Sequence, residues 1–154
     1  DDELPVRVHA TIVLGDHKSK SAASVMTENL KHEDAYLRAV SAAGLGGLGD
    51  VSAAPRLSEM HGDTAPEVRW ASAAALARLG DAAGLDVLVT MLDASSYAEF
   101  RGMKKDNIEE NMLNAVRALC LLEDPRAKEA LLKASTHEES TPSLRAAAAA
   151  CASP

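Results

Sequence analysis

Aromatic residues are scarce in this chain: of 154 residues, one is Trp, one is Phe and two are Tyr. Strands draw on β-branched and aromatic side chains, so the shortage speaks against a sheet and leaves little for a pocket walled by rings. Long apolar runs are missing too. None approaches the roughly 20 residues that span a bilayer, so no membrane association is expected. The opening Asp1-Asp2-Glu3-Leu4-Pro5 is not a signal peptide, although a leader removed earlier would leave no trace. A soluble chain is expected, its compartment open and the cytoplasm slightly favoured. Excess positive charge is also absent. The formal net charge of -7 disfavours a nucleic-acid partner and weakly favours a basic one. Cysteine is limited to Cys120 and Cys151, neither with a second Cys or His at metal-clip spacing. Both lie in Ala/Leu-rich helical patterns and read as small buried hydrophobes, with a Cys120 to Cys151 disulfide as the alternative.

Ala and Leu are plentiful and carry most of a 47% hydrophobic content, enough for a core. Their order is periodic. Val6-Arg7, Leu37-Arg38 and Val68-Arg69 recur every 31 residues, and Leu14, Leu45 and Leu76 keep the same step, as do Gly49-Asp50 and Gly80-Asp81. After the third unit the step lengthens to 43: Leu76 answers to Leu119, Asp81 to Asp124 and Leu88 to Leu131. An insertion over about 94–107 accounts for the difference. Leu144-Arg145 then opens a partial unit. A single domain over 1–154 is expected, with units near 3–33, 34–64, 65–93, 107–140 and 141–154, as a piece of a longer protein.

Each unit reads as two helices. Pro5, Pro66 and Pro142 stand just before a Val/Leu-Arg pair, where a first helical turn tolerates proline. Small and apolar residues follow at helical spacing, as in Val68, Ala71, Ala74, Ala75 and Leu79. Gly80-Asp81 ends one helix and begins the next, Gly as a C-terminal cap and Asp as acceptor for the free N–H groups. Asp50 and Asp124 are assigned the same work. Even the Ile12-Val13-Leu14 run is in phase with helix positions.

The stretch Pro66-Glu67-Val68-Arg69-Trp70-Ala71-Ser72-Ala73-Ala74-Ala75-Leu76-Ala77-Arg78-Leu79-Gly80-Asp81 closely resembles the bacterial HEAT-like repeat of phycobilisome-lyase type. The resemblance covers nearly the whole chain and implies an all-α fold, a right-handed α-solenoid of about four and a half helical hairpins. It is weaker on function, since such repeats serve scaffolds, bilin lyases, a DNA glycosylase group and an iron hydroxylase similar to deoxyhypusine hydroxylase.

The chemical branches fare poorly on these residues. The hydroxylase-like branch implies His-Glu pairs directly after the Val-Arg position, but His32-Glu33 and His137-Glu138 precede Leu37 and Leu144 and fall in inter-repeat loops, as turn residues. No metal and no cofactor is expected. His9, inside the first helix, is the histidine with a packed setting, and His17 and His61 fall in turns. The Gly44, Gly46, Gly47, Gly49 cluster has no preceding strand and suits tight helix packing better than a phosphate. A bilin-lyase role implies a pocket lined by aromatics, for which four rings are few. A glycosylase role implies a basic face, and the second helices mix Glu28, Glu59, Asp86 and Glu129 with Arg56, Arg126, Lys128 and Lys133.

The expectation is therefore a non-catalytic scaffold that binds a protein or peptide, with a bilin-lyase-like or metal-dependent accessory enzyme as the alternative. The repeated Arg7, Arg38, Arg69 and Arg145 read as ties to carboxylates or loop carbonyls. Partner contacts are expected at two places. One is the insertion, which carries Tyr97, Phe100, Arg101, Lys104 and Lys105, since aromatics and Arg on a projecting segment suit an interface hot spot. The other is the concave face of the second helices, at Glu28, Glu59, Thr90 and Lys133.

Overall fold

A computed structural model of the chain describes residues 3–16, 20–98, 100 and 102–152. Among them there is no strand. Nine helices follow in order: α1 (Glu3–Asp16), α2 (Lys20–Asn29), α3 (Ala35–Leu48), α4 (Ala54–Glu59), α5 (Pro66–Arg78), α6 (Leu85–Thr90), α7 (Lys105–Leu119), α8 (Pro125–Thr136) and α9 (Pro142–Ala152). Short 3-10 turns lead into α4 and α6 and follow α4, so these second helices are shorter than the repeat pattern suggests. The contacts divide into two compact units, Asp1–Gly84 and Leu85–Pro154.

Punctuation follows the sequence. Gly49 (φ 73) and Gly80 (φ 76) take the left-handed conformation at the ends of α3 and α5, a region that costs an L side chain energy and glycine little. Asp50 and Asp81 directly behind them, and Asp124 after Glu123, restart the chain. Asp50, Asp81 and Asp124 accept hydrogen bonds from the N–H groups of Ser52 (3.0 Å), Ala83 (2.8 Å) and Arg126 (2.8 Å). Pro66, Pro125 and Pro142 each stand first in a helix.

In the first unit, α3 packs on α1, α2 and α5, and Met26, Leu45, Leu57 and Leu76 form a closed core. Helices α3 and α5 come very close. A Cβ placed on Gly46 would lie 2.6 Å from Ala75 Cα, so only glycine fits there. Two of the repeated arginines converge on one loop. Arg38 donates from Nε and Nη2 to both carboxylate oxygens of Asp63, each at 2.8 Å, and from Nη1 to the carbonyls of His32 and Glu33. Arg69 donates to the carbonyls of Asp63 (2.7 Å) and Thr64 (3.1 Å). The guanidinium of Arg38 holds the Asp63 carboxyl below its ordinary value, and Asp63 in turn raises Arg38. These two arginines thus have the structural role expected of them. Arg7 is exposed and Arg145 half-buried.

In the second unit α9 packs on α8 and α7, and α6 on α7 and α8. Cys120 and Cys151 are joined in a disulfide, with Cα atoms 5.5 Å apart, so the expectation of two buried thiols is corrected. Both residues lie at half-buried edges where α7 and α9 meet, and not in the interior as their Ala/Leu-rich surroundings suggested. His9 also departs from expectation. It is exposed on α1, whereas His61 has a buried Nε2 without a hydrogen-bond partner, and burial pushes its pKa down. The difference arises because Thr11, not His9, faces inward on α1, where its hydroxyl accepts from Asn29 Nδ2 at 3.2 Å.

Candidate functional site

A cleft of about 270 Å³ opens within the second unit. One wall is a stripe along α8, Ala130, Lys133, Ala134 and His137, residues that one helical face must carry together at this spacing. Val89 of α6 and the following Leu92, Asp93 and Ala94 form the other wall, Met112 of α7 contributes a flexible apolar side chain, and Glu139 and Ser140 close the rim. The lining is mainly aliphatic, with charges only at the mouth. Pockets of this kind hold small apolar ligands by shape and orient them by a few polar groups.

Local structure fixes the polar groups. Asp93 caps the 3-10 turn at Ala94–Tyr97 and accepts from the Ser95 N–H at 2.8 Å. The hydrogen bonds from Ser95 hold the Asp93 carboxyl below its ordinary range, with His137 a smaller contributor. His137 sits at the C-terminal end of α8, where its Nδ1 accepts from the Glu139 N–H at 3.3 Å. His32 does the same for Asp34 at 3.0 Å. Both His-Glu pairs therefore stand in turns, as their phase suggested. Lys133 Nζ meets Glu129 Oε1 at 2.7 Å, an exposed pair one helical turn apart.

The expected contact residues are scattered. Lys133 lines the cleft, while Thr90 is exposed nearby on α6 with its hydroxyl bonded to the Asp86 carbonyl at 2.9 Å. Glu28 lies exposed on α2, and Glu59 ends α4, paired with Arg56. The insertion does not project its aromatics. Tyr97 is only 2% exposed; its hydroxyl donates to the Met91 carbonyl at 3.0 Å, and the Phe100 ring meets it edge-on at 6.5 Å. Burial pushes the Tyr97 hydroxyl up to about 12. Tyr97 is thus a packing residue, and its reading as a surface anchor is corrected. Lys104 stands just before α7 with no side-chain cap bond and Lys105 opens the helix, both exposed, while Arg101 lies outside the described residues. Asp93, Met112, Ala130 and Ala134 carry no individual sequence signal that singles them out for a site, and His137 was weighed only as half of a metal-binding pair. The stripe on α8 was the available sign of it.

Comparison with known proteins agrees with this architecture. The family model for HEAT repeats matches residues 24–103, more than half of the chain, and a PBS lyase HEAT-like repeat matches residues 113–137. The chain belongs to the HEAT-repeat family. Among solved structures it resembles the complex of CpcE and CpcF of phycocyanin lyase from Nostoc sp. PCC7120, at a TM-score of 0.70 and 23% identity over 98% of this chain. The match spans 59% of that longer chain. Curated protein sequences give no match. The expectation of a chain with no catalytic role is overturned by these likenesses, which connect one of its repeats and its fold to lyases.

Proposed function

We propose that the chain is a bilin-lyase-like HEAT-repeat protein that holds one end of a linear tetrapyrrole in the second-unit cleft and works together with a protein partner. The observation that carries this reading is a coincidence of position. The segment matching the PBS lyase repeat, 113–137, is the segment that supplies the α8 wall of the cleft. The chemistry of the cleft suits such a ligand. Aliphatic walls accept pyrrole rings, and Lys133 and His137 at the mouth can face carboxylate side chains of the tetrapyrrole. At about 270 Å³ the cleft is near the lower end of small-molecule sites, which fits one end of an extended ligand. The same comparison supports a protein partner, since the phycocyanin lyase structure is a complex of two proteins.

Titration of the purified chain with biliverdin tests the reading through induced circular dichroism in the visible band. Wild type should develop a band that saturates. The double charge reversal Lys133→Glu with His137→Glu, at exposed positions, should weaken binding roughly tenfold without loss of helicity. An absent band in wild type, or equal binding by the variant, defeats the assignment.

A further inference from the structure

The disulfide between Cys120 and Cys151 joins the C-terminal end of α7 to α9, across a separation of 31 residues that contains the whole of α8. It therefore brackets the helix that walls the cleft. Its place in the repeat is specific. Cys120 occupies the phase of Gly46 by steps of 31 and then 43, and Cys151 follows Leu144 by seven residues, as Ala75 follows Val68. Gly46 and Ala75 mark the very close approach of α3 and α5 in the first unit. In the second unit the corresponding contact is covalent.

Helix α9 lies along α8 and α7 but buries few side chains of its own. Leu144 and Ala148 are its buried residues, and Ala side chains remove little apolar area from water. Its start is tied by the Thr141 hydroxyl donating to Glu109 Oε1 of α7 at 2.7 Å. Both cysteines are partly exposed, in keeping with the access that thiol–disulfide exchange needs.

We propose that Cys120–Cys151 is a redox-active site, reduced by a dithiol, whose state decides whether α9 stays docked and the cleft keeps its α8 wall in place. A thiolate of the reductant attacks one sulfur and forms a mixed disulfide, and the second thiol of the reductant then displaces it. Two electrons and two protons pass in all. Cys120 and Cys151 become thiols, and the dithiol becomes a disulfide. Reduction returns to the unfolded ensemble the loop freedom that the cross-link removes, and the lightly buried α9 is the element that pays for it. The consequence for ligand binding rests on the tetrapyrrole reading above; the chemistry at sulfur does not.

The test uses the whole chain before and after dithiothreitol, with thiols counted by maleimide-polyethylene glycol labelling and helices followed by hydrogen exchange and limited proteolysis. The oxidised chain should take no label. The reduced chain should take two, lose protection over α9, gain a protease cut within 137–141, melt about 10 °C lower and bind biliverdin roughly tenfold more weakly. The Cys120→Ser/Cys151→Ser chain should behave as the reduced form and ignore dithiothreitol. If that variant does not fold, the wild-type reduction carries the test. Two free thiols in air-equilibrated protein, α9 still protected after reduction, or biliverdin affinity unchanged by α9 release would each overturn the proposal. Biliverdin bound by neither form, with α9 freed on reduction, would support the switch and defeat the cleft assignment instead.

Discussion

The two units solve one packing problem in different ways. In the first, α3 meets α5 through Gly46 and Ala75, and the turn between the repeats is gathered by Arg38 and Arg69 around Asp63. In the second, α7 meets α9 through a disulfide, and the turn before α9 is secured by Thr141 on Glu109. The first solution relies on shape and charge that folding itself assembles. The second relies on a bond whose presence depends on the surroundings. A repeat array is close to a sum of units and their interfaces, so interfaces of different kinds give neighbouring regions different sensitivities.

The largest effect that separates them is expected from Arg38→Ala. Side chains of Arg38 and Asp63 are only 13% and 10% exposed, so removal of the guanidinium leaves a carboxylate with little water and the His32 and Glu33 carbonyls without their donor. Loss of one partner of a buried pair costs about 3 kcal/mol. Urea denaturation should show it, with accelerated exchange centred on α3 and α5. The same pair sets an acid limb. Asp63 is lowered in the folded state, so its stabilisation is present above the ordinary carboxylate value and is lost as pH falls through the lowered one. Wild type should therefore lose more stability between neutral pH and pH 3 than Asp63→Asn does. Equal acid sensitivity would remove the pair from the account.

Next in size is Gly46→Ala. Its Cβ would sit 2.6 Å from Ala75 Cα and 2.7 Å from Ala75 Cβ, and backbone cannot swing aside as a side chain can. Overpacking of this kind costs roughly 2 kcal/mol, read as a lower urea midpoint. A neutral result would mean that α3 and α5 are free to separate, and the contrast with the disulfide-joined pair would lose its basis.

Local features of this structure were legible in the residues. The Gly-Asp caps, the helix-opening prolines and the arginine ties to loop carbonyls depend on neighbours a few positions away, so a 31-residue spacing was enough to assign them, whereas the carboxylate that Arg38 holds, Asp63, lies 25 residues further on. What escaped was set by packing between elements. Cys120 and Cys151 looked like core residues because their neighbours are Ala and Leu, and the meeting of their edges appears only when α7 and α9 are laid together. Tyr97 looked like a surface anchor because an insertion usually projects, yet this one turns back and buries its hydroxyl on Met91. The cleft was hidden for the opposite reason: its Ala, Val, Leu and Met lining is what any helical core would show.

Tyr97→Phe sharpens the second-unit side of the comparison by about 1 kcal/mol, the typical worth of one buried hydrogen bond. The ring and its contact with Phe100 are retained, so the loss should appear in the melting midpoint and not in the helical content. No loss at all would assign the insertion to simple cover, with its hydroxyl exchanging for water.

The smallest expected effect has the opposite sign and uses the residue beside Gly46. Gly47 lies on the exposed side of α3, and a Cβ there meets nothing within 4 Å. Helix-interior glycine costs roughly 0.5–1 kcal/mol relative to alanine through its greater freedom in the unfolded chain. Gly47→Ala should therefore stabilise the protein by about that amount, while Gly46→Ala, one position away in the same helix, destabilises it. Helix propensity alone predicts the same gain at both positions. Opposite signs in paired urea titrations would thus isolate the α3–α5 approach from propensity, and the same sign at both would show that the close contact does not limit the first unit.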